Sequence, residues 1–519
     1  MMRRAMILIL LASLVNSVQA MDKTSKEKAR ATALVPPVEP LVQPKNLPKV
    51  TKAVLKNGMT VLVLERHNSP TVAFNVYFRV GSVNDVPGKT GLAHLFEHMI
   101  FKGTKTLNTK NYRKERKVLD KIEEVAQALI LEEAVRPPDA KKVKTLREKL
   151  RTLQKEADEY LVPEEYEKLY TRHGGSKFNA STASDYTNYI LSLPSNKVDL
   201  WLIVEADRFR NPVLREFYKE RSVVMEERRM RYESNPDGML WEAFVSLAFQ
   251  AHPYRDLGIG WMSDLQHISR TDAQEFFDMY YGPQNAVVGV VGDVDAKKFH
   301  ASFKRKFEGL PARSAPPDLL TVEPPQRGER RAIVRYEAQP QFIIGYKKPD
   351  IHHPDQPVLI MTSSILSGGR TSRFYKKLVE GKKLAVQVAS YTRWPGVRYP
   401  GLFLIEGVPR SPATPEQLEA AVYEELEILK KEGPTDWEME KVRNSYEAGM
   451  VREMQSNENM ANKLAYNEAV VGDWRHPWQI LERLKRVSAD DVKRVAQGLF
   501  VAKKRSVATL KPPVEEEEK

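Results

Sequence analysis

Gly91-Leu92-Ala93-His94-Leu95-Phe96-Glu97-His98-Met99-Ile100-Phe101-Lys102-Gly103-Thr104 is the stretch around which the rest of the chain is organised. Leu92, Leu95 and Met99 recur at helical spacing and Gly103 supplies a stop, so the segment reads as one short amphipathic helix. On that helix His94 and His98 stand at i and i+4, which sends both imidazoles from one face about one turn apart. Glu97 is i+3 from His94 and shares the face. Two neutral imidazoles and a neighbouring carboxylate are half of a catalytic zinc site. A pair of histidines at this spacing is common by chance. The full His-x-x-Glu-His pentad, with Gly88 and Gly91 ahead of it and Gly103 behind, is not.

The order is inverted relative to the common His-Glu-x-x-His of zinc peptidases. In this order and setting the string closely resembles the signature of the pitrilysin/insulinase family (M16) of zinc metallopeptidases. It is most similar to the branch that holds the mitochondrial processing peptidase β subunit and its bacterial relatives. The resemblance covers nearly all of residues 50–510, specifically at the pentad and loosely elsewhere. It implies an α+β fold of two related α/β halves, each an antiparallel or mixed sheet flanked by helices, forming half of a clam-shell peptidase chamber.

Further along, Phe217 to Tyr232 reads as a helix rich in Glu and Arg. Glu220 and Glu227 are seven apart, which returns the side chains to within about 20° of each other, roughly 10.5 Å along the axis. Glu226 faces about 100° away. The wording Glu220-Arg-Ser-Val-Val-Met-Glu-Glu227 resembles the family segment carrying the third ligand, which maps to Glu227; the family's second acidic residue maps to Glu220. Gly174 to Thr182 resembles the family's Asn-Ala-x-Thr edge strand, which pairs with substrate backbone, at Asn179 and Ala180. The resemblance therefore implies one zinc ion (Zn2+) per chain on His94, His98 and Glu227. Glu97 then serves as general base and later acid, Glu220 supports the metal shell, and the substrate is a peptide or unfolded polypeptide.

The second half departs from the family pattern. Active relatives place an arginine and a tyrosine seven apart after a Gly-x-x-Ser-Arg loop, here Gly369 to Arg373; the matching positions hold Val379 and Val386. A shifted alignment recruits Arg373 and Tyr391 instead. In two-subunit members the clamp sits on another polypeptide, so the resemblance implies a homodimer or a heterodimer with a paralogue carrying the Arg/Tyr pair. The rival reading is a non-catalytic assembly or peptide-binding subunit. Its mark is loss of a ligand or of Glu97, and all four residues are present.

Bulk properties narrow the setting. Arg3 and Arg4 precede the apolar run Ala5 to Val15, and Val18-Gln19-Ala20 offers a small-x-small cleavage site: a signal peptide over 1–20, too short to span a membrane, with the mature chain starting at Met21. The expected location is periplasmic or secreted. With no cysteine there is neither a lipoprotein anchor nor a disulfide. The formal charge of +13 falls to +11 without the two signal arginines. Export and the interleaving of basic with acidic residues argue against a nucleic-acid partner, and no further apolar run approaches membrane length.

Residues 21–50 read as a proline-rich leader, 51–310 as an N-terminal zinc-binding peptidase domain, 311–328 as a linker, 329–512 as a C-terminal M16-like domain and 513–519 as an acidic tail. Folded structure is expected from Val54, as two strands around Asn57-Gly58. Within the first domain, 108–170 carries two charged amphipathic helices broken at Pro137-Pro138, an inserted antiparallel hairpin. Thr271 to Gln274 is expected to cap a helix as a capping box, and Ser488 to Asp491 opens another. The order of strands and helices after residue 329 repeats that of the first domain weakly.

Overall fold

The computed structural model describes Pro44 and residues 47–513. The expected signal peptide, most of the expected leader and residues 514–519 of the expected acidic tail lie outside the described residues.

The fold is α+β, built on two sheets. The first contains β1 (Val50–Val54), β2 (Thr60–Glu65), β3 (Thr71–Phe78), β4 (Ser176–Thr182), β5 (Thr187–Pro194) and β6 (Ala286–Gly292), in the order β1-β2-β6-β3-β5-β4. The second contains β7 (Arg330–Arg335), β8 (Gln341–Lys348), β9 (Ala385–Trp394), β10 (Gly401–Pro409) and β11 (Arg505–Lys511), in the order β7-β11-β8-β10-β9. β2 runs parallel to β6 and β7 parallel to β11, while the other neighbours are antiparallel. Superimposed as orders, β2-β6-β3-β5-β4 and β7-β11-β8-β10-β9 are the same topology. The weak repeat in the sequence is a repeat of the fold, and β1 is an addition on the outer side of β2.

Strand β6, Ala-Val-Val-Gly-Val-Val-Gly, is buried along its whole length. An unbroken apolar run of this kind belongs to a strand covered on both faces. Val288 and Val290 enter a core with helices of the first half, whereas Val287 and Val291 pack with Met460, Ala461 and Leu464 of the second half. The covering helices are exchanged between the halves. Of the helices that place the site, α1 is Leu92–Met99, α2 Tyr112–Ala134, α3 Ala140–Asp158, α4 Phe217–Arg228, α5 Pro236–Ala248 and α6 Asn457–Tyr466. Helix α6 lies on β3 and β6, and α5 lies on β7, β8 and β11, where Leu240, Phe244 and Val245 pack against Ile343, Leu404 and Leu510. Gly289 permits the approach of α6, because a Cβ there would meet the Ala461 carbonyl oxygen at 2.4 Å.

Two expectations need correction. β1 starts at Val50, four residues before the expected start of folded structure, and joins β2 through the longer loop Leu55–Met59, with Gly58 at φ 87°. The helix Arg270–Tyr280 is capped by Ser269, which forms the box with Asp272; Thr271 lies inside the first turn and donates its hydroxyl to Glu123. Ser488 and Asp491 cap the last helix as expected.

Candidate metal centre

Helix α1 is held at both ends. Gly91 at its N-terminus has φ 93°, a left-handed conformation that suits glycine, and a Cβ there would meet the Ile259 carbonyl oxygen at 2.6 Å. The Asp85 carboxylate accepts from Gly91 N–H at 2.8 Å and Ala93 N–H at 3.0 Å, satisfying free donors of the first turn. Leu92, Leu95, Phe96 and Met99 are buried, which turns His94, Glu97 and His98 to the opposite face. The two rings lie 5.0 Å apart, nearly perpendicular.

The C-terminal end of the motif is tied down by Arg215, a residue that no sequence pattern singled out. Its guanidinium, 1% exposed, donates to both Glu115 oxygens at 2.7 and 3.1 Å and to the carbonyls of Lys102, Thr104 and Leu107. It thereby locks α1, α2 and the approach to α4 together. Arg215→Ala strands the Glu115 carboxylate in the interior. The expected cost is about 3–5 kcal/mol of stability, read from denaturant unfolding; a loss below about 1 kcal/mol, the size of an exposed ion pair, contradicts the reading.

Helix α4 brings its two carboxylates to the histidines. Glu227 Oε2 stands 3.7 Å from His94 Nε2 and 3.7 Å from His98 Nε2. The three ligand atoms lie within 4.8 Å of one another, and among the described residues theirs is the one cluster of this kind. Tetrahedral zinc with bonds of about 2.0–2.1 Å sets its ligand atoms roughly 3.4 Å apart, so the donor set fits that metal in spacing and in chemistry. Glu227 Oε1 receives Arg231 Nη1 at 2.9 Å, which fixes which oxygen faces the rings. Glu220, one stretch back on the same side of α4, stands 3.4 Å from His98 Nδ1 and 2.5 Å from Lys102 Nζ. This is the outer-shell arrangement in which a carboxylate directs Nε2 of a histidine at a metal. Glu226 points away and pairs with Arg229.

The two histidines differ in charge state. Burial pushes the pKa of His94 down to about 3, with the charges on His98 and Arg231 working the same way, so the ring is neutral. At His98 burial opposes the charge, but the carboxylates of Glu220, Glu227 and Glu97 outweigh it and hold the pKa above the ordinary histidine value. Burial raises the Glu97 carboxyl above the usual carboxylate range, against the hydrogen bonds it receives from Thr182 and the charge of His98. A base lifted towards neutrality is better matched to proton transfer than an ordinary carboxylate.

Thr182 ends β4, the free edge of the first sheet, so the edge strand abuts the metal centre. Asn179 and Ala180 lie on β4 opposite Ile190 and Tyr189, three and two residues before Thr182. The Asn179 side chain accepts from the Ala180 N–H at 2.9 Å, covering one edge donor. In the second half the two positions matched to the Arg/Tyr pair hold valines. Val379 packs against the core and Val386 is exposed on β9. Arg373, the alternative, is engaged elsewhere: its guanidinium donates to both Glu438 oxygens at 2.7 and 2.8 Å and to the Gly433 carbonyl. Tyr391 is exposed on β9 and hydrogen-bonds Glu406.

The insulinase (peptidase family M16) profile matches residues 60–126 and 155–257, and the peptidase M16 inactive-domain profile matches residues 267–446. The zinc protease PqqE of Helicobacter pylori is 30% identical over 473 residues, covering 90% of this chain and 94% of that protein. The chain belongs to peptidase family M16. Another relative, the uncharacterized zinc protease YmxG of Bacillus subtilis, is 23% identical over 87% of this chain and 96% of its own. The crystal structure of a protease from H. pylori matches with a TM-score of 0.75 at 30% identity, over 90% of this chain and 100% of that one. The periplasmic protease PqqL from Escherichia coli matches with a TM-score of 0.68 at 16% identity, over 91% of this chain and 48% of that one. The M16 profile passes over residues 127–154, which form the outer part of the α2–α3 pair.

Glu220→Gln keeps the shape of the outer shell and removes its charge. Zinc affinity, measured by competition with a chromophoric chelator, is expected to fall about 10–100-fold. An unchanged affinity assigns Glu220 to the Lys102 ion pair alone.

Proposed function

We propose that this M16 chain is a zinc-dependent endopeptidase of the bacterial envelope that cuts peptides or unfolded polypeptides. The observation that carries the reading is the convergence of His94 Nε2, His98 Nε2 and Glu227 Oε2 within 4.8 Å, with Glu97 on the same helix face. The relatives named zinc proteases support it. One zinc ion per chain, held by these three residues, supplies a Lewis acid and acidifies water at neutral pH. Glu97 takes the proton from the attacking water and returns it to the leaving amine. Glu220 orients His98 through Nδ1, and Arg231 orients Glu227 through Oε1. An extended substrate adds as a strand to β4, with Asn179 and Ala180 in its path.

The envelope location rests on the signal-like residues 1–20 and on the E. coli neighbour, which is a periplasmic protease. The valines at 379 and 386 and the engaged Arg373 support a dimer whose other subunit, a second copy or an M16 paralogue, supplies the Arg/Tyr clamp. This fold accounts for about half of the E. coli protein, which fits a fold used in pairs. The same missing clamp favours the second reading, a non-catalytic peptide-binding subunit.

A quenched-peptide library incubated with the purified chain tests the choice. Cleavage that stops with a chelator and returns with zinc supports a self-sufficient peptidase. Bound zinc without cleavage, until an M16 paralogue is added, supports the two-subunit form. Zinc-bound chain that never cleaves rejects the peptidase.

A further inference from the structure

A cavity of about 840 Å³ opens between the two halves, and its wall contains none of the metal-centre residues. The wall begins at Ala183, Asp185 and Tyr186, directly after β4. Because Thr182 meets Glu97, the edge strand leads from the metal centre to this cavity. On the far side stands β9, the edge strand of the second sheet. There Trp394 pairs with Leu402 and Tyr391 with Leu404, so that Thr392 and Arg393 together oppose Phe403. A bulge of this kind re-aims a side chain. Arg393 lines both the cavity and an adjoining recess of about 450 Å³.

The Arg393 guanidinium has no hydrogen bond or ion pair among the described residues and lies 5.6 Å from the centroid of the Tyr466 ring. The other charges in the wall are engaged. Lys463 pairs with Glu453. Asp185 accepts from the Tyr254 hydroxyl and the Val397 N–H, each at 2.6 Å, and from the Arg398 N–H at 3.0 Å. His476 is kept neutral chiefly by burial. What remains is a solvent-exposed planar fork of five donors at the rim of an aromatic-lined cavity, the geometry that takes a carboxylate in two parallel hydrogen bonds.

We propose that Arg393 and this cavity form a carboxylate-binding subsite for the peptide, an inference that rests on the peptidase reading above. The carboxylate belongs either to an Asp or Glu side chain or to the peptide's C-terminus. A peptide antiparallel to β4 sends its N-terminal part towards the cavity and reaches it through a side chain; a parallel one delivers its C-terminus.

Binding of rhodamine-labelled peptides to the Glu97→Gln full-length chain, followed by anisotropy, tests the subsite. Four peptides share one sequence: with Asp and free C-terminus, with Asn in place of Asp, with an amidated C-terminus, and with both changes. Removing the responsible carboxylate is expected to weaken binding about tenfold, the worth of a charge-assisted hydrogen bond. Sensitivity to Asn assigns the side chain, and sensitivity to amidation the terminus. In Glu97→Gln/Arg393→Gln the four affinities are expected to converge, and Arg393→Lys, which keeps the charge, is expected to restore part of the spread. A spread that survives Arg393→Gln, or none in the Arg393 chain, overturns the subsite. Cleavage of the same four peptides by the chain with Glu97 intact separates the cases: uniform cleavage rejects the subsite and keeps the peptidase, while absence of both binding and cleavage rejects the two together.

Discussion

Replacing Glu97 with glutamine is expected to lower kcat about 10²–10⁴-fold while the chain keeps its zinc. The substitution preserves size and shape, and Glu97 is not among the three residues whose ligand atoms converge. What it removes is a carboxylate that burial has raised towards neutrality, on the same face as His94 and His98. A glutamine cannot take the proton from water or hand it to the leaving amine. Metal analysis and steady-state cleavage on one preparation decide the point. Cleavage retained within about tenfold assigns the base to another group, since general acid–base catalysis is worth more than that.

His94→Ala carries the second large effect. Loss of a direct ligand is expected to cost more than the roughly 10–100-fold in zinc affinity that an outer partner contributes, and to end cleavage with it. The protonation states make a finer demand. His94 is already neutral, whereas His98 is held protonated to higher pH than an ordinary histidine by the three carboxylates around it. Zinc must displace that proton, because a metal ligand has to be deprotonated. Zinc affinity is therefore expected to fall as pH drops through the raised His98 pKa, and binding below it should release about one proton per zinc. Calorimetry in buffers of different ionisation enthalpy reads that proton directly. Release of none at acidic pH contradicts the assignment of His98 as ligand.

Much of the site was legible in the sequence because it is local. A five-residue pentad on a helix displays its chemistry in its spacing, and the buried Leu92, Leu95 and Met99 fix the face. Glu220 and Glu227 share a side of α4 for the same periodic reason, although joining that side to His98 required the resemblance to M16. Arg231 also had a signal, four residues after Glu227 on the continuing helix. Arg215 had none: its partners Glu115, Lys102, Thr104 and Leu107 come together only in the folded chain. The exchange of α5 and α6 between the sheets escaped for the same reason, since an amphipathic helix does not say which sheet it covers. β1 was placed late because Val-Thr-Lys-Ala-Val follows a run of prolines and carries few apolar residues. The capping box was misplaced by two residues because Ser269 and Thr271 both head acceptable patterns, and packing against Glu123 chose between them.

The most direct test of the central claim is anomalous diffraction at the zinc edge from crystals of the purified chain. The account predicts a single peak about 2.0–2.2 Å from each of His94 Nε2, His98 Nε2 and Glu227 Oε2. No peak there in zinc-containing crystals, or zinc held by other residues, contradicts it.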